Sequence, residues 1–322
     1  MAYGIAEGVR IGTITIPGWK VVFLVFGLLT TALGVIFYFI MPDNQLNATW
    51  LSKEDRLLAI ARVRVNQQGI GKYCLHYDEA STNSQKGNKH FKMYQLKEAF
   101  LDPLTWAFVF YALVANIPNG GISNFFSQLI VSFGYTPAES LLYGTPGGAV
   151  EVVALIASGI IGDRIGRRLL VSMVGLSVAL LGVILIVALP PDQKSGRLIG
   201  YYLTQASPTP FVALLSLIST NVAGYTKKTT VAALYLIAYC VGNIIGPQTF
   251  RPKDAPHYVP AVITICVCWA LCLCDVAFIH FYCVRQNKKK REVKARSDYV
   301  KVPNCEWMDL TDRENVELEY TL

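Results

Sequence analysis

Charge is scarce in this chain of 322 residues: Asp, Glu, Lys and Arg together make up 16%, against about 25% in soluble domains. Several long stretches carry no charged residue at all. Those shortages exclude an ordinary cytosolic enzyme, a disordered chain and a disulfide-stapled secreted scaffold. Catalytic signatures are missing too. There is no glycine-rich phosphate loop, no nucleophile triad and no His/Cys set at zinc spacing, so neither an enzyme nor a cofactor or metal is expected. The amino end, with Pro17 and Gly18, lacks the apolar core of a cleavable signal peptide.

What the chain has instead is apolar length. Hydrophobic residues make up 53% and mean hydropathy is +0.39. A helix crossing the hydrocarbon core needs about 20 apolar residues, and seven runs meet that: 21–41, 104–133, 141–162, 169–189, 198–223, 229–250 and 259–284. The expected fold is an all-α polytopic membrane bundle of seven transmembrane helices. The second run is interrupted by Asn116-Ile-Pro-Asn-Gly-Gly121, the third holds Glu151, the fifth contains Pro208 and Pro210, and the seventh contains Asp275 and His280. Cys266, Cys268, Cys272 and Cys274 suggest a metal site on paper. On one helix they spread around the axis and read as small packing residues.

Basic residues orient the spans. Of the 29 Lys and Arg, 23 fall in 42–103, 163–168, 224–228 and the tail from 285, and 6 fall in the alternate compartments. The amino end is therefore expected outside and the carboxyl tail in the cytoplasm. The net charge of +7 is an orientation signal and does not argue for nucleic-acid binding. The expected organisation is an outer segment 1–20, a transmembrane helix 21–41, and a cytoplasmic loop 42–103 carrying an amphipathic helix. A six-helix transporter half, 104–284, and a cytoplasmic tail, 285–322, follow. Ser52-Lys-Glu-Asp55 resembles a capped start for the amphipathic helix, and 93–101 suits a second short helix ended by Asp102-Pro103. Residues 73–87 are polar and featureless. Lys288-Lys-Lys-Arg291 reads as a positive-inside anchor.

Three motifs rise above bulk hydrophobicity. Gly159-Ile-Ile-Gly162-Asp163-Arg164-Ile165-Gly166-Arg167-Arg168 joins two spans on the inner side. Its glycines let helix ends approach, and Asp163 can pair with the arginines. The Asn116–Gly121 stretch reads as a broken helix, with Asn side chains at mid-depth where transporters build substrate sites. Gly242 and Gly246 form a packing face with Asn243 between them.

The first of these motifs strongly resembles the inner loop motif of the major facilitator superfamily. With Asn221-Val-Ala-Gly-Tyr-Thr-Lys-Lys228 and Asp309-Leu-Thr-Asp-Arg-Glu-Asn315, the chain resembles the fungal allantoate permease family, or anion:cation symporters, within that superfamily. From Pro17 on it is similar to helices six to twelve of a twelve-helix fold, so an amino-terminal part with the first five helices is expected in the full-length protein. Residues 73–87 and Asp275 depart from the family's pattern.

The resemblance implies a permease, in the plasma membrane, for small organic anions such as allantoate, ureidosuccinate or vitamin carboxylates. It implies coupling to protons and alternating access. On that reading Asn116, Asn119, Asn124 and Asn243 contact the substrate and Glu151 serves proton coupling. Gly159, Gly162, Asp163, Arg164, Gly166, Arg167 and Arg168 form the conformational loop. The expected partners are the anion, the proton and the lipid bilayer. Two alternatives stand beside this: a fragment that does not transport, and a seven-helix receptor. The receptor reading is disfavoured by the long first inner loop and the missing Asn-Pro-x-x-Tyr pattern.

Overall fold

A computed structural model describes residues 17–42, 48, 50–52, 54–56, 58, 91–190, 192–254, 258–297, 299–300 and 308–322. The chain divides into two units, Met1–Val65 and Asn66–Leu322. The expectations for 73–87 and for most of the amphipathic helix fall outside the described residues.

The first unit holds α1, Gly18–Ile40. Its 23 residues rise about 34 Å, enough to cross a bilayer core of about 30 Å. It ends where Met41 turns extended ahead of Pro42. The expected cap at Ser52 is present: the Asp55 amide donates to Ser52 Oγ at 3.1 Å.

The second unit is a helical bundle. Its elements are α2 (Met93–Leu101), α3 (Pro103–Ser132), α4 (Pro137–Ile165), α5 (Arg168–Ala188), α6 (Lys194–Thr204), α7 (Thr209–Asn221), α8 (Tyr225–Ile245) and α9 (Val259–Lys294). A 3-10 turn, Gly246–Thr249, extends α8, and another, Pro252–Asp254, precedes α9. Among the described residues five helices, α1, α4, α5, α8 and α9, are long and apolar enough to cross a membrane. The pair α2 and α3 makes a sixth span if taken together; the two bend by 65° at Asp102. The bend follows from the chemistry there. Pro103 disfavours a helical Asp102, and the Asp102 carboxylate then caps α3 by accepting from the Leu104 amide at 3.2 Å.

Two expectations are corrected. The run at 198–223 is not one continuous helix: α6 and α7 are separate short helices, interrupted around Pro208, that together pass from the Arg197 end of the bundle to the Asn221 end. Conversely, α3 runs unbroken through Asn116-Ile-Pro-Asn-Gly-Gly121 despite Pro118. Its glycines do not open the helix: Gly120 faces α8 and Gly121 faces the Phe250 ring. A Cβ on Gly120 would lie 2.8 Å from the Asn243 carbonyl oxygen, and one on Gly242 would lie 2.5 Å from the Leu113 carbonyl oxygen. Gly246 meets the backbone of Ile117 and Gly121 just as closely. The α3–α8 crossing is the most extensive in the bundle. Inward from it the core continues through Phe108, Tyr111, Tyr235 and Trp269.

Candidate functional site

The break between α6 and α7 creates the site. Pro208 has no amide hydrogen, and Pro210 sits in the first turn of α7. The chain turns at 205–208, and Thr209 Oγ1 secures it on the carbonyl oxygens of Ala206 (3.0 Å) and Ser172 (3.3 Å). This puts Tyr201, Thr204, Gln205 and Ser207 around a cavity of about 110 Å³. The opposite walls are Asn119, Ile122, Ser123 and Phe126 of α3, and Glu151 of α4. Its described lining carries one acid and no Lys or Arg.

Of the four asparagines singled out in the sequence, Asn119 lines this cavity and the other three do not. Asn119 Nδ2 donates to Asn116 Oδ1 at 3.4 Å and to Asn243 Oδ1 at 3.5 Å, and Asn243 Nδ2 donates to Asn116 Oδ1 at 3.3 Å. The three amides thus form one cluster across the α3–α8 crossing, with Asn116 buried and tied to the Ala112 carbonyl at 2.7 Å. Asn124 donates to the Gly120 carbonyl of its own helix. Glu151 is half-buried at the cavity wall. Tyr201, Thr204, Gln205 and Ser207 were missed in the sequence. The usable signal was Pro208, because a proline within an apolar run marks the place where backbone and polar side chains can face a cavity.

The 159–168 loop motif is compact. Gly166 closes α4 in the left-handed region (φ 70°), its amide donating to the Gly162 carbonyl at 2.9 Å, and α5 starts two residues later at Arg168. Asp163 pairs with Arg168 at 2.7 Å, and Arg168 also donates to Ser216 Oγ at 2.9 Å. Gly162 is buried with Arg168 against it. A Cβ added at Gly159 would instead meet open space, with nothing within 4 Å, and Arg164 and Arg167 are exposed. Within the described residues, then, Gly162 is the motif's small packing residue.

A second network was not foreseen. Residues 308–322 fold back across the same end of the bundle. Lys227, with 0% exposure, sits between Asp102 (2.7 Å), Asp312 (2.7 Å) and Glu98 (2.9 Å). Arg313 adds a bond to Asp102 at 3.0 Å, and Lys92 pairs with Asp309 at 2.8 Å. The Asp309 carboxylate accepts from the Tyr225 amide, and Gln95 joins Asp309 to Thr226. Lys290 is buried and donates to the carbonyls of Asp312, Asn315 and Leu318. Asn221 and Asn287 hold Thr321 and Tyr320 by backbone bonds. One lysine of the Lys288–Arg291 cluster, Lys290, thus fastens the tail. Partial burial pulls the Lys92 ammonium down, but the hydrogen bond and charge of Asp309 outweigh it and the net shift is upward. Burial, then the Asp312 charge, push the Tyr320 phenol upward.

The two segments that carried the family resemblance, 221–228 and 309–315, are thus bonded to each other. Sequence comparison gives the same assignment. The Major Facilitator Superfamily profile matches residues 2–247. The chain belongs to the major facilitator superfamily. It is an integral membrane chain of a transporter family, not an enzyme. It is 40% identical over its whole length to an uncharacterized transporter of Schizosaccharomyces pombe, covering 59% of that protein. To the allantoate permease of Saccharomyces cerevisiae it is 36% identical over 99% of the chain and 58% of the relative. To the thiamine pathway transporter of the same yeast it is 31% identical over 95% of the chain and 55% of the relative. This superfamily chain therefore spans somewhat more than half the length of the curated relatives it matches. No solved structure matches it.

Proposed function

We propose that this chain contributes the carboxyl-terminal half of a plasma-membrane permease that carries small organic anions together with protons, by alternating access, with its tail in the cytoplasm. The reading rests on one observation: the mid-bundle cavity is lined by Glu151, by the amides of Asn119 and Gln205 and by the hydroxyls of Tyr201, Thr204 and Ser207. Amides and hydroxyls can donate to a carboxylate and accept from ureido nitrogens. The lining holds an acid and no cation. A carboxylate arriving beside Glu151 sets like charge against like charge, and a shared proton relieves it. Anion and proton then enter together, which is symport. Asn116 and Asn243 orient Asn119 in this scheme. At about 110 Å³ the cavity is smaller than the roughly 300 Å³ of a small-molecule pocket. It therefore serves as one wall of the site, faced by a second half of the transporter. Resemblance to the allantoate permease favours allantoate and related ureido carboxylates as first substrates to try.

The test is uptake of labelled allantoate by the complete transporter across external pH. Wild-type uptake should rise with acidification. Glu151→Gln should keep exchange of bound substrate and lose the pH dependence. An unchanged pH profile in that variant overturns the coupling role.

A further inference from the structure

At the end of the bundle away from the Asp163–Arg168 turn, a cleft of about 460 Å³ opens between α3, α5 and α9. Its walls are apolar: Leu129 of α3, Ile184 and Val187 of α5, and Val259, Ile263 and Val267 of α9. One lining residue breaks the pattern. Arg197 of α6 borders the cleft and is 8% exposed. Its Nε donates to the Ile186 carbonyl at 3.1 Å, and its guanidinium lies 4.6 Å from the centre of the Phe133 ring. Among the described residues no acid pairs with it, and Nη1 has no hydrogen-bond partner. A guanidinium stays charged in any protein setting, and a buried charge needs a counter-charge or a full set of hydrogen bonds. One carbonyl and one ring face leave the charge unbalanced. Lys194, one turn earlier on α6, adds a second cation nearby: its Nζ donates to the Gly134 carbonyl at 2.7 Å and lies 5.9 Å from the Tyr135 ring centre.

We propose that this cleft is a binding site for one anionic phospholipid, its phosphate oxygens bonded to Arg197 and an acyl chain lying along α5 and α9. The charge selects the occupant. An apolar partner helix would fill the walls and leave the guanidinium unmatched, and a free anion would match Arg197 and leave the walls bare. A lipid with a net negative head group satisfies both, its phosphate matching the guanidinium and its acyl chain the walls. The inference is independent of the transport reading, since no residue of the Glu151 cavity takes part.

Native mass spectrometry of the purified full chain in detergent tests it, with phosphatidylglycerol, phosphatidylcholine or inorganic phosphate added. Phosphatidylglycerol should be retained preferentially, and excess inorganic phosphate should not displace it. Arg197→Gln should weaken its retention about tenfold, the scale of a lost hydrogen bond to a charged group. Arg197→Lys should restore part of it. Ile263→Trp, on the 57% exposed lip of the cleft, should weaken retention while leaving Arg197 and the fold intact. Equal retention of both lipids by wild type, displacement by inorganic phosphate, or unaltered binding in both Arg197→Gln and Ile263→Trp would each overturn the site.

Discussion

A lysine ammonium enclosed without solvent must be matched by charge, and Lys227 is matched three times over. Removing one partner of a buried charge set leaves the others uncompensated, at a cost of about 3–5 kcal/mol. Lys227→Met should therefore lower the stability of the bundle by about that amount in equilibrium unfolding from mixed micelles, because Asp102 and Asp312 stay buried. Arg291→Gln removes an ion pair whose arginine side chain is 68% exposed, and should leave stability nearly unchanged because water and salt screen the pair. A change as large as that for Lys227→Met would mean the tail hangs on its surface pairs. The same exposed pair makes a small pH signal. Glu319 is held below its usual carboxylate range, first by its hydrogen bond from Arg291 and then by nearby positive charge. A depressed carboxylate stabilises the fold fully above its unfolded value of about 4.5, and that contribution disappears as pH falls through the lower folded value. Acid titration of wild type should show this loss, and Glu319→Gln should lack it. None of these partnerships was legible in the sequence. Lys227 counted in the sequence only as a basic residue of a connecting segment; its partner Asp102 is 125 residues away along the chain, and hydropathy carries no information on such pairing.

Helix packing was more readable than helix continuity. The Gly242/Gly246 spacing identified a close-approach face, and that face is where α8 meets α3. Gly242→Ala should destabilise by about 1–3 kcal/mol through overpacking, because the new methyl meets the Leu113 carbonyl and the Asn116 side chain. Gly148→Ala in α4 is the contrasting change. Its Cβ position is open within 4 Å, so the gain of about 0.5–1 kcal/mol in helix propensity should dominate. Thermal unfolding of both variants in one detergent checks the opposite signs. Continuity failed for a physical reason. Proline and glycine were weighed alike at Asn116–Gly121 and at Pro208–Pro210, yet their effect depends on what lies across from them. In α3 the glycines are packed by the α8 backbone at Gly120 and by the Phe250 ring at Gly121, and the helix survives. Between α6 and α7 a polar cavity receives the turn, and the helix ends. The candidate site was therefore half legible: Glu151 and Asn119 stood out as polar groups in apolar runs, while Gln205 and Ser207 looked like part of a continuous span.

For the whole chain, the apolar runs and the alternation of basic loops were enough to reach an all-helical membrane bundle, because burial in lipid leaves few other solutions for backbone hydrogen bonds. What they could not reach was the closure of one end of that bundle by the tail. Residues 308–322 touch α2, the Asp102 bend, α5, α7, α8 and α9 through polar contacts, so this end is bound as one body by a segment that hydropathy reads as loop. A covalent tie tests whether the tail rests there. Thr220 and Thr321 stand with their hydroxyl oxygens 2.9 Å apart and are separated by 101 positions in sequence. In a background with Cys74, Cys240, Cys274 and Cys305 changed to serine, Thr220→Cys with Thr321→Cys should form a disulfide under mild oxidation. Its detection is a mass loss of about 2 Da, as bond formation removes two hydrogens. Closing a loop of that length should raise stability by about 2–4 kcal/mol, and reduction should return it. The pair also separates two roles for the tail. If oxidised protein keeps full uptake in the complete transporter, the tail is a permanent brace that moves with its half. If uptake stops and returns on reduction, the tail must leave the α7 end during each cycle. Failure to cross-link at all would show that the tail does not dwell beside Asn221 in the membrane.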